Sequence, residues 1–291
     1  MNGNKGLALL LAAALAWPGA ARAEEAGRIV SVAGSLTEIV YALGQESRLV
    51  GADTTSLYPP SARALPQVGY QRSLSAEGIL SLAPDLVLAT EAAGPPAVID
   101  QIRAAGVPVR IVTHDLSPDG LGQKVRSVAE ALDRAEEGER LANRIRAELD
   151  AALLRVGAAR RPKVLFFMNA GRGAPLAAGR DTAADAMIRL AGGQNALADF
   201  EGYKPLNTEA LTAAAPDVLL LPEHALTALG GEAGLARVPG LTLTPAWRQR
   251  RIVVMDALLL LGFGPRTGTA VATLARRLNP DLEALELGLD R

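Results

Sequence analysis

Short apolar runs of strand length recur along the chain. Between them lie longer stretches in which apolar positions return every three or four residues. The runs Arg28–Val32, Leu49–Ala52, Leu86–Ala89 and Val109–Thr113 predict strands in the first half, and Val164–Met168, Val218–Leu221 and Ile252–Met255 in the second. Strands alternating with helical patterns predict an α/β fold with mostly parallel sheets. Between Asp119 and Ala159 the strand signal stops. Val125, Val128, Leu132, Leu141, Ile145, Leu149 and Leu153 instead follow the spacing of one helix face, with charged residues between. A helix from Ala135 to Val156 would run roughly 33 Å at 1.5 Å per residue. It would act as a strut between two halves and limit their relative motion, with Arg160-Arg161-Pro162 ending it.

The halves repeat one another. Ser75–Leu88 (SAEGILSLAPDLVL) parallels Asn207–Leu220 (NTEALTAAAPDVLL): a Ser/Thr cap, Ser75 or Thr208, precedes a short helix opened by Glu, and Ala-Pro-Asp leads into an apolar strand. Leu36–Gly44 likewise matches Ala184–Gly192. Two related lobes with a cleft between them follow. Their boundaries are read as 24–118 for the first α/β lobe, 119–161 for the helical segment and 162–291 for the second lobe.

The start of the chain sets the compartment. Lys5 precedes an apolar run from Leu7 to Trp17, and Ala21-Arg22-Ala23 stands before Glu24-Glu25, the pattern of a cleavable secretory signal over residues 1–23. No stretch reaches the ~20 apolar residues of a membrane helix. Removal of Lys5 and Arg22 with the signal takes the net charge from −1 to −3. Without a lipidation Cys, the product should move freely in a periplasm, as a monomer.

Composition then removes whole classes of chemistry. The 291 residues include 30 Lys+Arg and 31 Asp+Glu, so no basic face for nucleic acid is implied. The chain has no cysteine, which excludes disulfides, thiolate metal sites and thiol nucleophiles; its two histidines, His114 and His224, cannot build a three-His zinc site. No G-x-S-x-G, P-loop or H-E-x-x-H occurs, and Gly171-Arg172-Gly173 lacks the third glycine of a dinucleotide fingerprint, reading as a loop. Glu136-Glu137 opens the strut helix, where the dipole favours acids. A binding protein rather than an enzyme is expected.

The most informative segment is Leu65–Glu77, LPQVGYQRSLSAE. With the Ser-Leu-Thr-Glu-Ile opening at 35–39, Ala-Gly-Arg-Asp-Thr at 178–182 and Leu261-Gly262-Phe263-Gly264-Pro265-Arg266, it resembles the periplasmic haem-binding proteins of bacterial ABC importers. These belong to the wider cobalamin- and siderophore-binding group. The likeness spans nearly all of the chain after the signal. It implies two Rossmann-like lobes joined by a long rigid α-helix with the ligand between them, the class III periplasmic binding protein arrangement. It also implies Fe(III) protoporphyrin IX as cargo and Tyr70 as its axial ligand, a role that suits a hard phenolate oxygen. Without that resemblance, Tyr70 would read as a loop aromatic packing on Pro66.

Arg72 or Arg237 would pair with the phenolate or a propionate, and Arg172 and Arg266 are further propionate candidates. Arg180 reads better as a partner of Asp181 or Asp185. No histidine follows the strand at 164–168, so one haem held from one side is expected; His224 reads as a solvated loop residue and His114 as a residue at a strand end. Tyr41 lies on the apolar face of the first helix. The resemblance makes Glu77 and Glu209, one per lobe, the residues that dock on a dimeric permease in the inner membrane. A ferric-siderophore or cobalamin carrier of the same fold is the alternative.

Overall fold

The computed structural model describes residues 27–157, 161–168 and 174–280. The export segment with its cleavage after Ala23, the Gly171-Arg172-Gly173 segment read as a loop and the propionate candidate Arg172 lie outside them.

In chain order, the first half runs β1 (Ile29–Val32), α1 (Gly34–Ala42), β2 (Leu49–Ala52), β3 (Gly69–Tyr70), β4 (Ser73–Leu74), α2 (Ala76–Leu80), β5 (Leu86–Thr90), α3 (Pro96–Ala104) and β6 (Val109–Val112). Two long helices follow, α4 (Pro118–Ala131) and α5 (Ala135–Val156). The second half runs β7 (Lys163–Met168), β8 (Leu176–Ala178), α6 (Ala183–Leu190), β9 (Gln194–Asn195), β10 (Tyr203–Pro205), α7 (Thr208–Ala214), β11 (Val218–Pro222), α8 (Glu223–Leu229) and α9 (Gly231–Leu235). It ends with α10 (Pro245–Arg248), β12 (Ile252–Met255), α11 (Ala257–Leu261) and α12 (Thr267–Leu278). The seven strands expected from sequence agree with the observed ones to within one residue at either end.

Both sheets share a plan. The first is parallel in the order β2-β1-β5-β6, and in the second β9-β7-β11-β12 repeats that order, also parallel. The second sheet adds β8 and β10 in antiparallel pairing beyond β7. The repeat extends to backbone detail. Ala83 and Ala215, at matching ends of α2 and α7, both take left-handed conformations, with φ of 44° and 42°. The next acids do the same work: Asp85 Oδ2 accepts from the Arg28 amide at 2.9 Å, and Asp217 Oδ2 from the Lys163 amide at 2.8 Å. One sequence expectation changes here. Ser75 caps α2, but α7 is capped by Asn207, whose Oδ1 accepts from the Ala210 amide, because Thr208 already lies inside the helix.

Strands buried on both faces send alternate residues to opposite sides. Ile29 and Leu88 join an inner apolar cluster, whereas Val30, Val87 and Ala89 join an outer one. The inner cluster does not stop at the first half. It continues through Val125 and Val128 of α4 and Leu141, Ile145 and Leu149 of α5, then Val271 and Leu274 of α12, to Val164 and Phe166 of β7. The strut is therefore part of one core shared by both sheets.

That sharing needs close helix packing. A Cβ at Gly138 of α5 would lie 2.2 Å from the Ala129 Cβ of α4, and one at Gly268 of α12 would lie 3.1 Å from the α5 backbone at Glu148. Replacing a helical glycine by alanine ordinarily gains up to ~1 kcal/mol. At position 138 overpacking reverses the sign: Gly138→Ala is expected to lower stability by about 1–3 kcal/mol, read as a lower urea midpoint. An unchanged or higher midpoint would contradict the close α4–α5 approach.

Candidate functional site

Loops at the carboxyl ends of parallel strands are the usual place for ligand chemistry in such sheets. After β2, the fully buried Asp53 (0% exposed) organises the turn: Oδ1 accepts from the Ala33 amide at 3.1 Å and Ser56 Oγ at 2.9 Å, and Oδ2 from the amide and hydroxyl of Thr55. This turn holds the β3–β4 hairpin, because the Thr54 amide donates to Gly69 O at 2.9 Å. The far side of the hairpin is fixed by the loop after β5: the Gly94 amide donates to Gln71 O, and the Leu74 amide donates to Gly94 O, each at 2.9 Å. Gln71 and Arg72 form the turn of this braced hairpin.

Tyr70 is therefore displayed by a rigid support. Its side chain is 44% exposed, and neither it nor Arg72 has a side-chain hydrogen bond or ion pair with any described residue. Tyr203 on β10 of the second half lies within electrostatic reach of both. Its ring meets Phe166 edge-on at 6.5 Å, and burial raises its pKa. A phenol and a guanidinium without side-chain hydrogen bonds among the described residues on one half thus lie within electrostatic reach of a partly buried phenol on the other.

Two polar links tie the second half to α4 and to α1. Lys124 of α4, 1% exposed, donates from Nζ to Phe263 O at 2.9 Å and lies 3.5 Å from His114 Nδ1. Glu38 of α1 accepts from Arg266 Nε at 2.9 Å and Nη2 at 2.6 Å, a fork geometry suited to a carboxylate. Burial pushes the Glu38 carboxyl up despite the opposing pull of Arg266. The guanidinium also stacks on Tyr58, with 3.6 Å from Cζ to the ring centre. Arg266, a propionate candidate from sequence, thus has Nε and Nη2 bonded to a buried acid.

The remaining candidates are dispersed. Arg237, exposed after α9, lines a cavity of about 550 Å³ in the second half with Pro175, Leu206, Thr208 and Val238, and nothing links it to Tyr70 among the described residues. Arg180 is structural, as read, but its partners are Ala198 O and Glu201; Asp185 instead holds Arg189 and Asn195. His224 is exposed in the first turn of α8, and Tyr41 packs against the inner cluster. Glu77 and Glu209 are both exposed, each at the second position of its helix. The sequence reading missed Tyr203, Tyr58, Glu38 and Lys124. The last carried a signal: a lone charge on the apolar α4 stripe of Leu121, Val125 and Val128.

Residues 29–259 match the model of a periplasmic binding protein family. The chain belongs to that family. Among solved structures it is similar to the apo periplasmic heme-binding protein RhuT of Roseiflexus sp. RS-1, at 49% identity and TM-score 0.85, over 88% of this chain and 99% of that one. It is also similar, at 49% identity and TM-score 0.82, to the periplasmic heme-binding protein BhuT solved with two hemes, over 88% of this chain and 98% of that one. In sequence it is 27% identical to the ABC transporter substrate-binding lipoprotein YvrC of Bacillus subtilis, over 89% of this chain and 82% of that protein. Vitamin B12-binding proteins of Vibrio and Yersinia species are further relatives, at 26% and 30% identity. Two Rossmann-like halves with the ligand cleft between them is thus the observed architecture, and transport rather than turnover is the business of the family.

The link at Lys124 makes a testable demand on stability. Burial lowers its pKa from the ordinary 10.5 to about 8, with Asp115 opposing. Between pH 8 and 10.5 the unfolded chain therefore holds the extra proton, so stability from this group rises with pH. Relative to Lys124→Met, the unmodified protein should gain about 3 kcal/mol across that interval, at 1.36 kcal/mol per pKa unit. Parallel denaturation curves at the two pH values would contradict the buried ammonium.

Proposed function

We propose that this protein captures ferric haem in the periplasm and delivers it to an ABC importer. The observation that carries the reading is Tyr70: a half-exposed phenol without a hydrogen-bond partner among the described residues, on a braced hairpin in a cleft. The heme-binding relatives at 49% identity support it. A phenolate suits Fe(III). A free tyrosine loses its proton only near pH ~10, so the metal's charge and the neighbouring unpaired Arg72 would favour the anion.

The residues of this chain divide the remaining work. Tyr70 ligates the iron, Arg72 supports the phenolate or a propionate, and Arg237 supplies a cation from the second half. Arg172 stays a propionate candidate on sequence grounds, while Arg266 holds the halves together. Glu77 and Glu209, exposed on repeat-related helices, would each meet one subunit of a two-fold permease. The protein would be exported through its N-terminal signal, with cleavage after Ala23, and would work as a monomer. The two-heme BhuT complex favours a second stoichiometry, in which the cleft accepts a second haem. The B12-binding relatives keep a corrinoid or ferric chelate as the competing cargo.

An absorption titration with ferric hemin tests the reading. A Soret band with a tyrosinate charge-transfer band should develop and saturate at one equivalent, or at two if haems stack. Tyr70→Ala should lose the charge-transfer band and weaken binding by more than about tenfold, which is 1.4 kcal/mol. No hemin spectrum with the unmodified protein, alongside tight cobalamin or siderophore binding, would replace haem as the cargo. Glu77→Ala and Glu209→Ala should leave the titration unchanged and reduce haem uptake by cells; normal uptake by the double variant would remove the docking role.

A further inference from the structure

His114 stands just beyond the end of β6, and its backbone amide donates to Glu91 Oε2 at 3.3 Å, which ties it to the loop after β5. That same loop braces the Tyr70 hairpin through Gly94. His114 therefore sits on the cleft side of the first sheet, and Arg72 lies within its electrostatic reach.

The state of the imidazole is set from behind. Lys124 Nζ, buried and already donating to Phe263 O, lies 3.5 Å from His114 Nδ1. An ammonium has donors and no acceptor, so the Nδ1 lone pair must face it and the ring proton must sit on Nε2. The in-plane lone-pair and N–H directions of Nδ1 and Nε2 point to divergent sides of the ring. The side away from Lys124 thus presents an N–H donor, and Nε2 has no lone pair to offer a metal. Burial first, then Lys124 and Arg72, pull the imidazole pKa down to about 4, so the ring stays neutral while keeping that donor. Around it stand two cations, Lys124 and Arg72. The acids nearby are Asp115, which opposes them, and Glu91, which faces the backbone amide. Arg72 has no partner among the described residues.

We propose that His114 Nε2–H, oriented by Lys124, combines with the Arg72 guanidinium into a subsite for a ligand carboxylate. The inference rests on the haem reading and deepens it: the carboxylate is a porphyrin propionate, and His114 recognises the edge of the porphyrin rather than its iron. Lys124 is a positioning residue that acts through the imidazole.

Ferric protoporphyrin IX and its dimethyl ester, which lacks the carboxylates, separate this role from packing. His114→Leu and His114→Phe both remove the donor, and His114→Gln restores an N–H near the Nε2 position; whichever of the first two retains cooperative melting is read. Loss of the donor should weaken hemin binding by roughly tenfold and leave ester binding within about twofold, with His114→Gln close to the unmodified protein for both. Equal weakening for the two porphyrins, or none for either, would overturn the subsite while leaving haem binding intact. Failure of the unmodified protein to bind hemin at all would overturn the haem reading, and the subsite with it.

Discussion

The apolar layer built from α4, α5 and α12 belongs to both sheets at once, and the geometry of the cleft depends on that joint ownership. Leu141, Ile145 and Leu149 pack in the same cluster as Ile29 and Leu88 on one side and Val164 and Phe166 on the other. Separating the halves would expose this cluster to water, and fully burying one such side chain is worth about 1.5–3 kcal/mol. The polar links sit on the same boundary. Glu38–Arg266 and Lys124–Phe263 place opposite charges, one from the first half and one from α4, on two points of one short loop of the second half. Removing one partner of a buried ion pair costs about 3–5 kcal/mol, so these links fix the register of the halves more than they add net stability.

A binding site between fixed halves can be prepared in advance. The Tyr70 hairpin is held by hydrogen bonds to the turn after β2 and to the loop after β5. The buried Glu38–Arg266 pair and Lys124 tie the elements around the cleft together, whereas Tyr70 and Arg72 make no side-chain hydrogen bond or ion pair among the described residues. On the other half Tyr203 is partly buried and meets the fully buried Phe166 edge-on.

Much of this was legible in the sequence because periodicity reports burial. Strands buried on both faces appear as continuous apolar runs, and the α5 stripe shows as Leu141, Ile145 and Leu149 at four-residue spacing. Duplication was legible because Ala-Pro-Asp must make the same turn in each half, down to the left-handed Ala83 and Ala215. Partners distant in sequence were not legible. Nothing local says that Arg266 reaches Glu38, 228 positions away, or that Lys124 reaches Phe263. Arg180 shows the same limit: its adjacent acids suggested a pairing, yet the fold gives it Glu201 and gives Asp185 to Arg189. The one sequence-level hint of a cross-link was a charge on an otherwise apolar helix face.

Resonance Raman spectroscopy of the hemin complex, with and without ring-deuterated tyrosine, tests the iron–phenolate bond most directly. Phenolate modes enhanced through the metal should appear, shift on deuteration and vanish in Tyr70→Ala. Their absence from the unmodified complex, or their survival in the Tyr70 variant, would contradict the account.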